Sequence, residues 1–265
     1  TCKPFVGGDA LRQRNAILSW IRAVGAENIL LVGDELGVAD ICREFNLQHQ
    51  PDVERVDGNL PSLKALLDSL SLSTSTLICL VNADIILPQT LMTCVATASG
   101  QFEKFLLTGE RWSLEVGDVN DPSGSDPGFF ERARSTGSLP GPHWIDYFIF
   151  PKSLLDPIPP LAVAGYLWDH WIVGRALEHG AAVIDATNAL TVVHQEHPKN
   201  VVSLAELKRS MTPNGMIVRA NSRKYVVGRL LRILGPIVRM SRPLRIRFGL
   251  TLDNFFRLAR RKARH

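Results

Sequence analysis

No apolar run in this sequence approaches the roughly 20 residues that a helix needs to span a bilayer. No N-terminal stretch has the form of a secretory signal. The chain starts at Thr1 rather than Met, which reads as a trimmed or excised piece. Cysteine is scarce: Cys2, Cys42, Cys79 and Cys94 form no CxxC pair. That argues against a structural zinc site and predicts free thiols in a reducing, cytoplasmic compartment. There is no internal repeat, no low-complexity tract and no nucleic-acid-binding motif with an aromatic stacking platform.

What is present is an ordinary globular composition, 45% hydrophobic and 21% charged over 265 residues. A chain of this length can bury a large core as one domain, or as one domain with an appendage. The charge is unevenly placed. Residues 201–265 hold 16 Lys plus Arg against 2 Asp plus Glu, so residues 1–200 carry the opposite sign. An acidic body with a basic tail suggests two tasks.

Over residues 1–200, strand-like and helix-like segments alternate. "RQRNAILSWIRAVG" spaces Ile17, Trp20, Ile21 and Val24 as a helix face and stops at Gly25. "NILLVGDE" and "LQHQPDV" read as short strands, with "GVADICREFN" a helix between them. "SLKALLDSLSL" and "TLMTCVATASG" read as helices around one fully buried strand, "TLICLVNADIIL". The strand "KFLLTGERW" follows, then a Gly, Pro, Ser and Asp-rich loop over 118–143. After it come the strand "WIDYFIFPK", the helix "LWDHWIVGRALEHG" and a strand pair in "AAVIDATNALTVVH". This order predicts an α/β fold with a mostly parallel central sheet flanked by helices. From 201 on, Arg-rich aliphatic stretches cut by Gly and Pro predict a basic, mainly helical extension.

Ligands of open α/β sheets sit outside the carboxyl ends of the strands. Asp34 closes "ILLVGD" and Asp84 closes "LICLVNAD", so both acids fall on that rim. One can accept hydrogen bonds from a base or ribose; the other can hold a hard divalent cation. Asp84 as a simple turn residue is the competing reading. Asp169 falls at a helix start, where free N–H groups stabilise a carboxylate. It reads as a helix cap or as a general base, and the flanking Trp168 and Trp171 are suited to stacking on sugar rings.

Taken in order, these segments resemble the glycosyltransferase A fold, in a form similar to the family-2 transferases. "NAD" at 82–84 resembles the Asp-x-Asp motif, and "WD" at 168–169 resembles the x-Glu-Asp motif. "RALEHG" resembles the run that trails the latter, and His194 matches the C-terminal His of the metal site. "QRNAI", "VNADI" and "DYFIF" agree with the same pattern. The resemblance covers roughly residues 1–200. It implies transfer of a sugar from a nucleotide-diphosphate donor to a hydroxyl acceptor, assisted by Mn²⁺ or Mg²⁺. It implies Asp84 and His194 as metal ligands and Asp169 as the base of an inverting reaction. Phe5, Arg14, Asp34, Asn82 and Asp84 would frame the donor, and Asp146, Tyr147, Trp168 and Trp171 the acceptor. Two departures matter. Asn82 replaces the first Asp of the motif, so metal binding leans on Asp84 and His194. Trp168 replaces the Glu before Asp169, which changes the acceptor side and leaves inverting and retaining outcomes both open.

The acceptor implied is a glycan or a lipid-linked sugar. Cationic residues alternating with aliphatics in 201–265 suit peripheral attachment to an anionic membrane, and less well a nucleic acid. A solvated face packed on the acidic body is the third option. The stretch "HPKNVVSLAELKRSMTPNGM" suits a lid over bound donor or a plain surface loop. Two other functions stand beside transfer: a sugar-1-phosphate nucleotidyltransferase, for which "FVGGDALRQR" is a poor phosphate loop, and a degenerate transferase domain that binds without turnover, which Asn82 favours.

Overall fold

In the computed structural model, the described residues are 1–56, 60–71, 73–141, 144–163 and 168–197, together with two backbone strands at 238–241 and 245–248. The elements run in chain order as α1 (Gly7–Val24), β1 (Leu30–Val32), α2 (Val38–Phe45), β2 (Gln48–Gln50), β3 (Arg55–Val56), β4 (Leu60–Pro61) and α3 (Leu63–Asp68). Next are β5 (Leu77–Val81), β6 (Ile85–Ile86), α4 (Leu91–Gln101), β7 (Phe105–Thr108), β8 (Trp112–Leu114), α5 (Pro122–Ser125) and α6 (Phe129–Thr136). The chain continues with β9 (Tyr147–Pro151), α7 (Trp168–Glu178), β10 (Ala182–Asp185), β11 (Val193–Gln195), β12 (Val238–Ser241) and β13 (Arg245–Phe248).

A six-stranded sheet in the order β13-β12-β10-β7-β9-β5 forms the centre. The interior strands β7 and β9 carry apolar runs, Phe105 to Leu107 and Phe148 to Phe150, because helices cover both faces. Alternate side chains divide between them. Phe105, Leu107, Tyr147, Ile149 and Ile184 enter one core, with Ala16, Ile17 and Trp20 of α1, Ile41 of α2 and Leu91 of α4. Leu106, Phe148, Phe150 and Val183 enter the other, with Leu63 and Leu66 of α3 and Trp168, Trp171 and Ile172 of α7. The α/β architecture with a helix-flanked central sheet is therefore present. The pairing is mixed: β7, β10 and β12 run parallel, while β9 runs antiparallel to both β5 and β7.

Three expectations are corrected. "TLICLVNADIIL" is not one buried strand. β5 ends at Val81, a turn over Asn82 to Asp84 follows, and β6 joins a separate sheet of order β6-β11-β8. The region 118–143 is not all loop. α6 forms there because Phe129 and Ala133, four residues apart and both fully buried, give it an apolar face beside Ile86 and Val193. In the basic extension, Val238–Ser241 and Arg245–Phe248 are strands rather than helix, added to the β10 edge. The rest of that extension, and the stretch proposed as a lid beyond His197, lie outside the described residues. Among the described residues, no helix is long and apolar enough to cross a membrane.

Candidate active site

The link from β5 to β6 places Asp84 where the chain leaves the central sheet. Its geometry is imposed by α1. Trp20 Nε1 donates to the Ile85 carbonyl at 2.8 Å, and the Leu87 amide donates to Ser19 Oγ at 3.0 Å. Buried Gln195 donates from Nε2 to the carbonyls of Asp84, at 3.0 Å, and Arg12, at 2.8 Å. Its Oε1 accepts from Asn15 Nδ2 at 3.0 Å. Gln13 clamps both backbone groups of Lys3. Gln13 and Asn15 of "QRNAI" are thus fixtures of the scaffold, since buried polar groups must be paired.

His194 reaches Asp84 from β11. Antiparallel pairing of His194 with Ile85, and of Val193 with Ile86, fixes the register. His194 Nε2 lies 3.4 Å from Asp84 Oδ2, and His197 Nε2 lies 3.7 Å from the same oxygen. The ligating atoms of the three residues lie within 4.8 Å of one another. His194 Nδ1 is buried with no hydrogen-bond partner among the described residues. Burial pushes the Asp84 carboxyl up, but the hydrogen bond and charge of His194, with His197 and Arg111, outweigh it and hold the group below its ordinary value.

Asp146 stands next to this cluster, just before β9. Its Oδ2 is ion-paired with Arg111 Nε, and its Oδ1 accepts from Asn82 Nδ2 at 2.6 Å. The Arg111 guanidinium also lies over the Trp144 ring, 5.0 Å from its centroid. Burial raises the Asp146 carboxyl above its ordinary value; Arg111 and His194 oppose this, and the charges of Asp84 and Asp169 add to it. Asp84 in the β5–β6 link, His194 of β11 and Asp146 before β9 are therefore neighbours, Asn82 joining the first to the last. At Asp169, Oδ1 accepts from the His170 backbone N–H at 2.7 Å and faces His170 Nδ1 at 2.8 Å.

Several expected site residues lie elsewhere or do something else. Trp168 and Trp171, each 8% exposed, belong to the core under α7, where Trp168 meets Phe148 edge to face. Tyr147 is fully buried, and its hydroxyl would be 2.5 Å from a β-carbon at Gly109. These three rings fill the interior instead of facing an acceptor, because α7 and β9 turn them onto the sheet. Arg14 is held by Glu44 and lies over Phe45, facing α2 and not Asp84. Asp34 is largely exposed and shares Arg55 with Glu35. Phe5 lies against Gly37 in the loop after β1, its amide donating to the Leu36 carbonyl.

His197 and Arg111 were not singled out from the sequence. The signal for His197 was available as His-x-x-His in "HQEH", two imidazoles three residues apart. Arg111 had no local signal, since only the fold brings it to Asp146.

The donor set of one carboxylate and two imidazoles fits a divalent transition ion better than Mg²⁺, which prefers oxygen ligands throughout. No family model matches the chain, and no curated protein matches it. Among solved structures, the fold is similar to that of S. aureus TarS 1-349 in complex with UDP-GlcNAc, with 11% sequence identity and a TM-score of 0.46. The match covers 76% of this chain and 62% of that one, so the chain spans less than two thirds of the neighbour's length.

Proposed function

We propose that this protein is a nucleotide-sugar glycosyltransferase whose domain spans 1–200, with 201–265 a basic extension that lends β12 and β13 to the edge of the domain's sheet. The observation that carries the reading is the meeting of Asp84 with His194, 110 positions on in the chain, and with Asp146, reached through Asn82, in one region beyond the β5 strand end. Asp84, His194 and His197 would hold a divalent cation there, with Mn²⁺ favoured over Mg²⁺ by the imidazoles. When bound, such an ion would stabilise the negative charge that grows on the departing nucleoside diphosphate.

The chain's own residues supply the rest. Arg111 and Asn82 hold Asp146 in one orientation beside the Asp84 turn. Asp34, exposed after β1, would accept a hydrogen bond from the nucleoside, and Phe5, against Gly37 in the same loop, would border the base. Asp169 is the general base: its Oδ1 is fixed by His170, while Oδ2 accepts no hydrogen bond from the described residues and would take the proton of the attacking hydroxyl. The acceptor is a glycan or a lipid-linked sugar. The basic extension would hold the enzyme at an anionic membrane surface, as its Arg-rich aliphatic composition suits.

Asp169→Asn tests the reading. Loss of a positioned base costs about 10²–10⁴ in rate. Transfer from a nucleotide-sugar donor should fall by that factor, while donor binding, read as ligand-induced thermal stabilisation with Mn²⁺, is retained. Full activity in this variant would overturn the role. A wild-type protein stabilised by no nucleotide sugar would overturn the class. Release of pyrophosphate from a nucleoside triphosphate and a sugar 1-phosphate would support the nucleotidyltransferase instead; donor binding with no transfer or hydrolysis would support a binding domain.

A further inference from the structure

Trp144 stands two residues before Asp146 and is 42% exposed. Among the described residues it is the only Phe, Tyr or Trp on the exposed surface. A single exposed apolar side chain is ordinary on a protein. This one is braced from inside. The guanidinium of buried Arg111 lies over the ring, 5.0 Å from its centroid, and pairs with the Asp146 carboxylate at the same time. The Arg111 amide donates to the Trp144 carbonyl at 3.4 Å, and the Trp144 amide donates to the Gly141 carbonyl at 3.0 Å. Ile145, between Trp144 and Asp146, is buried in the core under α7 and anchors the segment. A guanidinium answered by a carboxylate is a flat, weakly hydrated backing for an indole. The ring is therefore held in one orientation, and a held ring loses little conformational entropy when a ligand covers it. Asn82 ties the same assembly, through Asp146, to the turn that carries Asp84.

We propose that Trp144 is the platform on which the acceptor's sugar ring packs. The inference rests on the reading of this region as a glycosyltransferase site, and it names what the acceptor offers there: a hexopyranose ring with one face of axial C–H bonds, as glucosyl and galactosyl rings have. Such a face is apolar while the rim hydroxyls stay wet, which matches an indole set at a protein surface. Trp168 and Trp171, whose place in the sequence suggested this task, fill the core under α7 instead. A lipid-linked sugar and a free glycan present the same ring, so the platform reads the sugar and not its carrier.

The five tryptophans allow a site-resolved test. The full chain is labelled with 5-fluorotryptophan and followed by fluorine NMR. The Trp144 signal is assigned by its absence from Trp144→Phe, and circular dichroism confirms folding. The probes are methyl β-D-glucopyranoside and methyl β-D-galactopyranoside, with glycerol as a ringless polyol and phosphatidylglycerol vesicles as an anionic membrane. At least one pyranoside should shift the Trp144 signal saturably, while the signals of buried Trp20, Trp168 and Trp171 stay in place. Glycerol should shift none. Pyranoside affinity, read by saturation transfer to the sugar's C–H protons, should fall at least about tenfold in Trp144→Ala, the scale on which truncating a contact residue registers. Trp144→Phe keeps an aromatic face and should lose less than about threefold. Thermal stabilisation by a nucleotide sugar should be the same in both variants as in wild type, because the platform holds the acceptor and not the donor. A Trp144 signal unmoved by both pyranosides, in a chain that a nucleotide sugar does stabilise, would overturn the platform and leave the class standing. A signal moved by the vesicles and by neither pyranoside would overturn it in favour of a membrane contact. Stabilisation by no nucleotide sugar would overturn the class, and the acceptor role with it.

Discussion

Arg111→Met removes the cation that holds Asp146. The side chains are 7% and 15% exposed, so the pair is shielded from solvent without being sealed. Breaking a buried ion pair from one side costs about 3–5 kcal/mol, because the remaining charge is left in a poor dielectric. The residual exposure and the hydrogen bond from Asn82 favour the lower end, about 3 kcal/mol. For a domain of this size that is a fall in Tm of about 6–12 °C. The pH dependence has a definite sign. Burial already raises the Asp146 carboxyl above its ordinary value, and Arg111 pulls it down. Without Arg111 it rises further. An acid whose folded pKa exceeds its unfolded value of about 3.9 takes up its proton on folding. Its stabilising contribution is full below the unfolded value and lost as pH rises through the folded one. The loss caused by Arg111→Met should therefore be largest at pH 7 and shrink toward pH 5. Asp146→Asn, and the double variant, close a thermodynamic cycle in which the combined loss is smaller than the sum. Urea unfolding of the four proteins at both pH values reads all of this. A variant as stable as wild type at pH 7, or one whose deficit grows toward pH 5, would refute the assignment of Arg111 as the counter-charge.

Two further outcomes follow from residues that changed roles. Trp168→Ala should cost about 3–5 kcal/mol by opening a cavity against Phe148, whereas Trp168→Phe should retain most of that stability; denaturant midpoints check both, and equal stability of Trp168→Ala and wild type would return this ring to the surface. Arg14→Ala should leave Tm and nucleotide-sugar affinity essentially unchanged, since its partners Glu44 and Phe45 are on the neighbouring helix and exposed ion pairs contribute little; a clear drop in affinity by calorimetry would place Arg14 back in the donor site.

The layered fold was legible because its signals are local. Phe105 to Leu107 and Phe148 to Phe150 are apolar at every position, which strands covered on both faces require. The break at Asn82 was not legible. Ile85 and Ile86 continue the apolar run of β5, and nothing local says that they pair with β11 in a second sheet. The same limit hid α6, whose two apolar anchors sit among Gly, Pro and Ser. Within the site, acids at strand ends stood out, since an acid after an apolar run is conspicuous. Trp168 did not reveal its direction: a tryptophan serves equally in a core or against a sugar, and only the seating of α7 on Phe148 decides. Arg111 was invisible for the complementary reason, that its partner lies 35 positions away, ahead of a different strand.

Strand β11 is three residues long, yet its neighbouring positions serve opposite purposes. His194 faces Asp84, while Gln195, one step on and therefore on the other side of the pleat, laces the start of α1 to the Asp84 backbone. Slippage of this ribbon by a single position would exchange the imidazole for an amide and undo the lacing together. Chemistry and architecture are thus locked to one register: no drift of the first helix can leave the imidazole in place, and no retuning of the imidazole's position can spare the helix.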